Sequence, residues 1–265
     1  MSVLSPIETA PIEYPSSDGE AMAESDITRF YMIYSVEVLE IYFQNRPNVY
    51  VSANSFVYYE PGNKDAVVAP DVYVVFGVNK RQRDNYKIWE ENGISPNFIL
   101  EITSKTTQDK DQKTKPEIYQ KLGVVEYFQY DPSGDYLNPI LQGLHLINGQ
   151  YQTIPARGTA FDNFWVWSEV LGLELHIVYG ELRFKDPETG EFLKTYGELD
   201  AALQQTEATL QQTEAALAEE RQARTQVESV LRSLVEQLLT SGLEIEQVAQ
   251  MTQLSPDEIR RLVGE

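Results

Sequence analysis

Apolar positions along this chain change their spacing several times, and each change marks an element. Met32, Val36, Leu39 and Phe43 recur at helical spacing, and Ser25 or Asp26 stands where a first turn is capped, which predicts an amphipathic helix to about Asn45. Beyond Pro47 the period shortens. Val49 to Ser52 and Phe56 to Glu60 read as strands before the turn Pro61-Gly62-Asn63, and Val72 to Phe76 and Asn97 to Thr103 as two more, separated by a polar loop. A helical segment follows from about Thr107 to Leu122, stopped by Gly123, then the strand Glu126 to Tyr130 and the turn Asp131-Pro132-Ser133-Gly134. Strand, helix, strand in that order predicts a mixed α/β core. Two hairpins complete it. One joins Gly143 to Ile147 with Tyr151 to Ile154 across Asn148-Gly149, and the other joins Leu173 to Val178 with Leu182 to Lys185 across Gly180-Glu181.

From Leu199 the texture is different. Leu203, Leu210, Leu217, Leu231 and Leu238 are spaced by sevens or a multiple, and Leu-Gln-Gln-Thr-Glu-Ala occurs at 203–208 and again at 210–215. The second seam position holds Leu199, Thr206, Thr213, Glu220, Val227 and Leu234, and Arg224 interrupts the leucine series. Eight of these twelve positions are apolar, which predicts a long helix in need of a partner, and self-association is its natural use. Gly242 ends the helix, a short one follows from Ile245, and Ser255-Pro256-Asp257-Glu258 starts another with capping spacing. Residues 244–265 hold five acids against Arg260 and Arg261, so this tail is not read as a DNA reader. The expected organisation is a loose arm over 1–24, a core domain over 25–195, a coiled-coil helix over 196–240 and a short helical tail over 241–265.

Composition narrows the chemistry. There is no cysteine among the 265 residues, which removes disulfides, thiol nucleophiles and cysteine metal sites. His145 and His176 lie in separate period-two runs and read as strand residues. The chain lacks the roughly 18 consecutive apolar residues of a membrane span, and a cytoplasmic, non-membrane protein is expected. A net charge of -20 opposes contact with nucleic acid, since phosphate contacts need Lys and Arg. Between Lys80 and Lys121, however, nine basic residues stand against seven acidic ones. That stretch contains Glu101, where a phosphodiester would have to approach.

Two acids stand at the ends of these apolar runs. Pro70-Asp71 opens Val72 to Phe76, and Glu101 follows Phe98-Ile99-Leu100. Carboxylates ending buried strands are costly unless something positive neutralises them, and a divalent cation holding a phosphate is one reason to keep them. Alternation turns Phe98, Leu100 and Ile102 one way and Ile99, Glu101 and Thr103 the other.

Pro70-Asp71, Glu101-Ile102-Thr103-Ser104, Asp111 with Lys115 and Tyr119, then Gly123-Val124-Val125-Glu126-Tyr127-Phe128 with Asp131-Pro132, resemble the Uma-two family of bacterial restriction endonuclease-like proteins, within the PD-(D/E)XK nuclease superfamily. The resemblance spans roughly residues 25–185. It implies an α+β, restriction-endonuclease-like mixed sheet flanked by helices. It also implies Mg²⁺-dependent (or Mn²⁺-dependent) hydrolysis of nucleic-acid phosphodiesters, DNA foremost, with Asp71 and Glu101 as metal ligands. The superfamily lysine would stand two residues after the glutamate, where this chain has Thr103. The match moves that role to Lys115 on the following helix, with Lys113 and Lys105 as fallbacks. Pro116 bears on it, because a residue before proline is pushed from helical geometry. Glu37 or Glu40 on the first helix is a further candidate carboxylate. The alternative reading is a catalytically inactive relic of the fold, used as an oligomeric interaction or nucleic-acid-binding module.

Overall fold

The computed structural model describes residues 14–15, 25–103, 110–135, 137–159 and 162–264. Most of the expected N-terminal arm and Lys105 lie outside them, as does the side chain of Asp111. In chain order the elements are α1 (Asp26–Tyr42), β1 (Val49–Ser52), β2 (Val57–Tyr58), β3 (Val67–Val68), β4 (Val72–Phe76), β5 (Tyr86–Lys87), β6 (Phe98–Ile102), α2 (Lys115–Leu122) and β7 (Glu126–Tyr130). Then come β8 (Leu141–Ile147), β9 (Gln150–Thr153), β10 (Ala156–Thr159), β11 (Asp162–Ser168), β12 (Leu173–Val178), β13 (Glu181–Lys185), α3 (Tyr196–Thr240), α4 (Ile245–Thr252) and α5 (Pro256–Val263). The chain divides between Gly197 and Glu198 into two compact units.

The first unit is built on a six-stranded mixed sheet in the order β1-β4-β6-β7-β8-β9. Only β6 and β7 run parallel within it, and α2 is on the crossover between them, as parallel neighbours require. Alternation along the central strands gives the sheet two buried faces. Val72, Val74, Phe98, Leu100, Ile102, Phe128 and Tyr130 share one core with Val38, Leu39 and Phe43 of α1 and its C-cap, and with Leu173, Leu175 and Phe184 of the antiparallel sheet β10-β11-β12-β13. Tyr73, Val75, Ile99 and Tyr127 share the other core with Tyr119 of α2 and with Val57 and Tyr86 of the small sheet β3-β2-β5. Strands buried on both faces read as continuous apolar runs, which is how Val72–Phe76 and Phe98–Leu100 stand in the sequence.

Several expected boundaries shift. The segment Phe56 to Glu60 shrinks to the two residues of β2. The regular part of the helix expected from Thr107 begins only at Lys115, after a π-helical turn over Lys110–Thr114. Val36 is half-buried, and Tyr31, Tyr34 and Val38 carry the buried face of α1 together with Met32 and Leu39. Ser25 caps that helix as expected, accepting the Thr28 amide at 3.1 Å. Strand β11 carries no period-two signal, because Trp165 and Trp167 alternate with Phe164 and Val166 and so leave neither face polar, and β10 is only the four residues Ala-Arg-Gly-Thr.

Two contacts shape the sheets, one within the six-stranded sheet and one from it to β11. Gly143 pairs with Phe128, and a Cβ added there would stand 2.8 Å from the Phe128 ring, so only glycine leaves room for the aromatic side chain. Glu126, fully buried, accepts hydrogen bonds from the Ser168 hydroxyl and from the amides of Glu169 (2.8 Å) and Val170 (3.3 Å), and its Oε1 lies 3.4 Å from His145 Nδ1. Burial pushes the Glu126 carboxyl up, and the Ser168 hydroxyl and the two amides draw it part of the way back.

In the second unit Val235 of α3, Val248 of α4 and Ile259 of α5 are fully buried against one another, with Leu238 and Leu239 beside them. Reciprocal hydrogen bonds between Ser255 and Glu258 start α5, as the sequence predicts.

Gly143→Ala is expected to destabilise the first unit by about 1–3 kcal/mol in urea unfolding, through the overpacked Phe128 ring. Glu126 makes a second prediction. A carboxyl raised in the folded state binds its proton more tightly than in the unfolded chain, so stability falls as pH rises from the ordinary carboxylate range through the raised value. Unfolding free energies measured across that window should show this component in the wild type and lose it in Glu126→Gln.

Candidate active site

The register of β4 against β6 places Val72 opposite Leu100, so the next position outward brings Asp71 opposite Glu101 on one face of the sheet. Asp71 Oδ2 accepts the Ile102 amide at 2.7 Å, and the Asp71 amide lies 3.4 Å from Glu101 Oε2. Each acid therefore rests on the backbone of the other's strand.

Glu101 has 0% exposure, and its two oxygens are engaged from α2. Lys115 Nζ donates to Oε2 at 2.9 Å and the Tyr119 hydroxyl donates to Oε1 at 2.7 Å. These donors lie one turn apart, so a single helical face carries both. Pro116 does not displace Lys115. It occupies the first turn of α2, where a missing amide hydrogen leaves no helical bond unmade, and Lys115 is the first residue of the regular helix. The Lys115 side chain keeps 21% exposure, so its ammonium joins the buried carboxylate to the solvent side. Thr103, at the position a superfamily lysine would hold, is 1% exposed and donates its amide to Tyr130 O at 2.8 Å.

The structure thus brings Asp71, Glu101, Lys115 and Tyr119 together. Lys113 is exposed. Glu37 and Glu40 belong to α1, which packs on the face opposite to that of Glu101. Glu37 Oε1 accepts the Tyr196 amide at 2.6 Å, and Glu40 is exposed. His145 faces Glu126, and His176 Nε2 lies 2.8 Å from Glu174, so both histidines are strand residues as expected. One neighbour was missed in the sequence. Parallel pairing of β6 and β7 sets Gln129 beside Glu101, and Gln129 Nε2 donates to the Tyr127 hydroxyl at 3.2 Å. Its only trace in the sequence is a polar residue set among the aromatics of β7, because nothing local reveals which strand lies alongside.

Residues 18–179, more than half of the chain, match the model of the Uma2 family, whose description is "Putative restriction endonuclease". The chain belongs to the Uma2 family. A solved structure from Anabaena variabilis, described as a putative nuclease belonging to DUF820, is similar over 58% of this chain and 86% of that chain, with 11% identity and a TM-score of 0.39. No curated protein matches. The α+β fold, a mixed sheet with helices on both faces, is the one expected from the resemblance, and the Uma2 match covers α1 to the end of β12.

Electrostatically, the site is a buried anion compensated locally. Removing a carboxylate from water costs several kcal/mol unless charge and hydrogen bonds replace its hydration, and Lys115 and Tyr119 supply both. Tyr119→Phe removes one donor from Glu101 at nearly constant volume. It should lower stability by about 1–3 kcal/mol in denaturant titration, against a few tenths for a change at an exposed tyrosine such as Tyr179.

Proposed function

We propose that this protein is a divalent-cation-dependent endonuclease that hydrolyses nucleic-acid phosphodiesters, with DNA as the first substrate to test. The observation that carries the reading is the meeting of Lys115 with Glu101 at 2.9 Å, beside Asp71 in cross-strand register. A carboxylate pair is a donor set suited to a hard cation, and Asp71 and Glu101 are the residues that would hold Mg²⁺ or Mn²⁺. Among the described residues no three acidic or histidine side chains cluster, so waters and phosphate oxygens would complete the shell. The ion supplies Lewis-acid polarisation of the phosphate and a more acidic bound water.

The protein groups have separable roles. Tyr119 and the β4–β6 register hold Glu101 in one orientation, and the Ile102 amide does the same for Asp71. Lys115 sits where a positive group can orient the attacking water and offset the charge that grows on the phosphate. It takes the role that Thr103 cannot, since a hydroxyl carries no positive charge. The same reading has the chain self-associate through the leucine seam of α3. No helix among the described residues is long and apolar enough to cross a membrane.

A second reading has a specific observation behind it. Thr103 at the lysine position, in a chain of net charge -20, suits an inactive relic of the fold that serves as an oligomeric or nucleic-acid-binding module.

Mn²⁺ titration by calorimetry separates the two readings. The nuclease binds the ion and cleaves duplex DNA, and both properties disappear in Asp71→Ala and Glu101→Ala. Lys115→Ala should retain ion binding and lose cleavage by about 100-fold or more. Pure protein that binds no Mn²⁺ and cuts no duplex, single-stranded or RNA substrate would exclude the enzyme.

A further inference from the structure

The seam of α3 is exposed along most of the helix. Leu203, Leu210 and Leu217 are 57%, 58% and 46% exposed, and Val227 and Leu234 are 66% and 46% exposed. Its C-terminal end is covered within the same unit, where Leu238 packs beside Val235 under α4 and α5. The seam expected from Leu199 to Leu238 is therefore exposed as far as Leu234, apart from the half-buried Leu231.

Its interruptions are ordered. The two charged seam positions, Glu220 and Arg224, are neighbours of opposite sign at the centre, and threonines lie on one side while aliphatic residues crowd the other. In a parallel, in-register pair every layer sets a residue against its own copy, giving Glu220 against Glu220, Arg224 against Arg224, and threonine against threonine. In an antiparallel pair with its two-fold axis at residue 222, the two kinds of seam position face each other. Leu210 then meets Leu234, Thr213 meets Leu231, Leu217 meets Val227, and Glu220 meets Arg224 in two central layers. Every layer now holds an aliphatic residue or a pair of opposite charges.

We infer that α3 pairs with α3 of a second copy of this chain, antiparallel, with reciprocal Glu220–Arg224 pairs at the two-fold axis. Such an interface is isologous and closes at the dimer. From Leu210 to Leu234 it overlaps for about 36 Å at about 1.5 Å per residue. One contribution opposes it. Glu214 and Glu228, and the two Arg221 side chains, come near their own kind along one flank of an antiparallel pair. Flanking charges stay in solvent and are screened, whereas the central pair is desolvated and decides the orientation. Arg224 already lies 3.5 Å from Glu228 within its own helix, an exposed contact that it can share or exchange. The inference rests on self-association through the heptads and is independent of the chemistry at Glu101.

Light scattering on the full chain should give a mass twice that of the 30.2 kDa protomer. Glu220→Arg or Arg224→Glu alone should raise the dimer dissociation constant by more than about tenfold, and the two reversals together should restore it. Orientation is read by disulfide trapping, which the absence of native cysteine makes clean. Leu217→Cys mixed with Val227→Cys should give a cross-linked dimer, and neither variant should cross-link to itself. A monomer at all concentrations overturns self-association and this inference with it. A dimer in which Leu217→Cys bridges to its own copy overturns the antiparallel arrangement alone.

Discussion

The buried carboxylate of Glu101 is the constraint around which the first unit is arranged. An anion at zero exposure tolerates few surroundings, because each oxygen needs a donor and the charge needs a counter-charge within reach. The donors come from two directions. The β4 strand offers the Asp71 amide, and α2 offers Lys115 and Tyr119. Satisfying Glu101 therefore sets both the register of β4 against β6 and the rotation of the crossover helix. A helix turned by one residue about its axis, roughly 100°, would carry both donors off the carboxylate.

Much of this was legible in the sequence, and the reason is the number of faces each strand buries. Asp71 and Glu101 could be picked out because apolar runs buried on both sides make a charged end conspicuous. Alternation along Phe98 to Thr103 then assigned Glu101 its face without any tertiary information. Lys115 came from the family resemblance rather than from spacing, and Pro116 bears on where the structure puts it. Proline in the first turn sets where the regular helix begins, and the lysine before it starts at the end nearest the carboxylate. What stayed hidden is what depends on strand neighbours. Gln129 beside Glu101 and the tie from Glu126 to Ser168 join residues 28 and 42 positions apart, and no local period encodes such a pairing.

The two glutamates with 0% exposure, Glu101 and Glu126, show how one residue type is used for two ends. Glu126 is surrounded by neutral donors, a hydroxyl and two amides, with His145 at the edge of its reach. Burial raises its carboxyl, which suits a structural tie between sheets. Glu101 instead faces a cation and a phenol, and that cation keeps a path to solvent. A tie within a core needs no such path.

The second unit follows a different logic, in which much of one apolar stripe is left exposed. Val235, Leu238 and Leu239 are covered by α4 and α5, whereas Leu203, Leu210, Leu217 and Leu234 are exposed and Leu231 is half-buried. Isolated helices gain little from propensity alone, and most helical stability in proteins comes from packing one apolar face. This 45-residue helix is packed mainly near its C-terminal end among the described residues, so the greater part of its apolar stripe is exposed. Thr206 and Thr213 would weaken a seam that met its own copy in register, and so would the charges at 220 and 224. Set against the aliphatic half of an antiparallel partner, the same residues select one arrangement from several that leucine alone would leave equivalent.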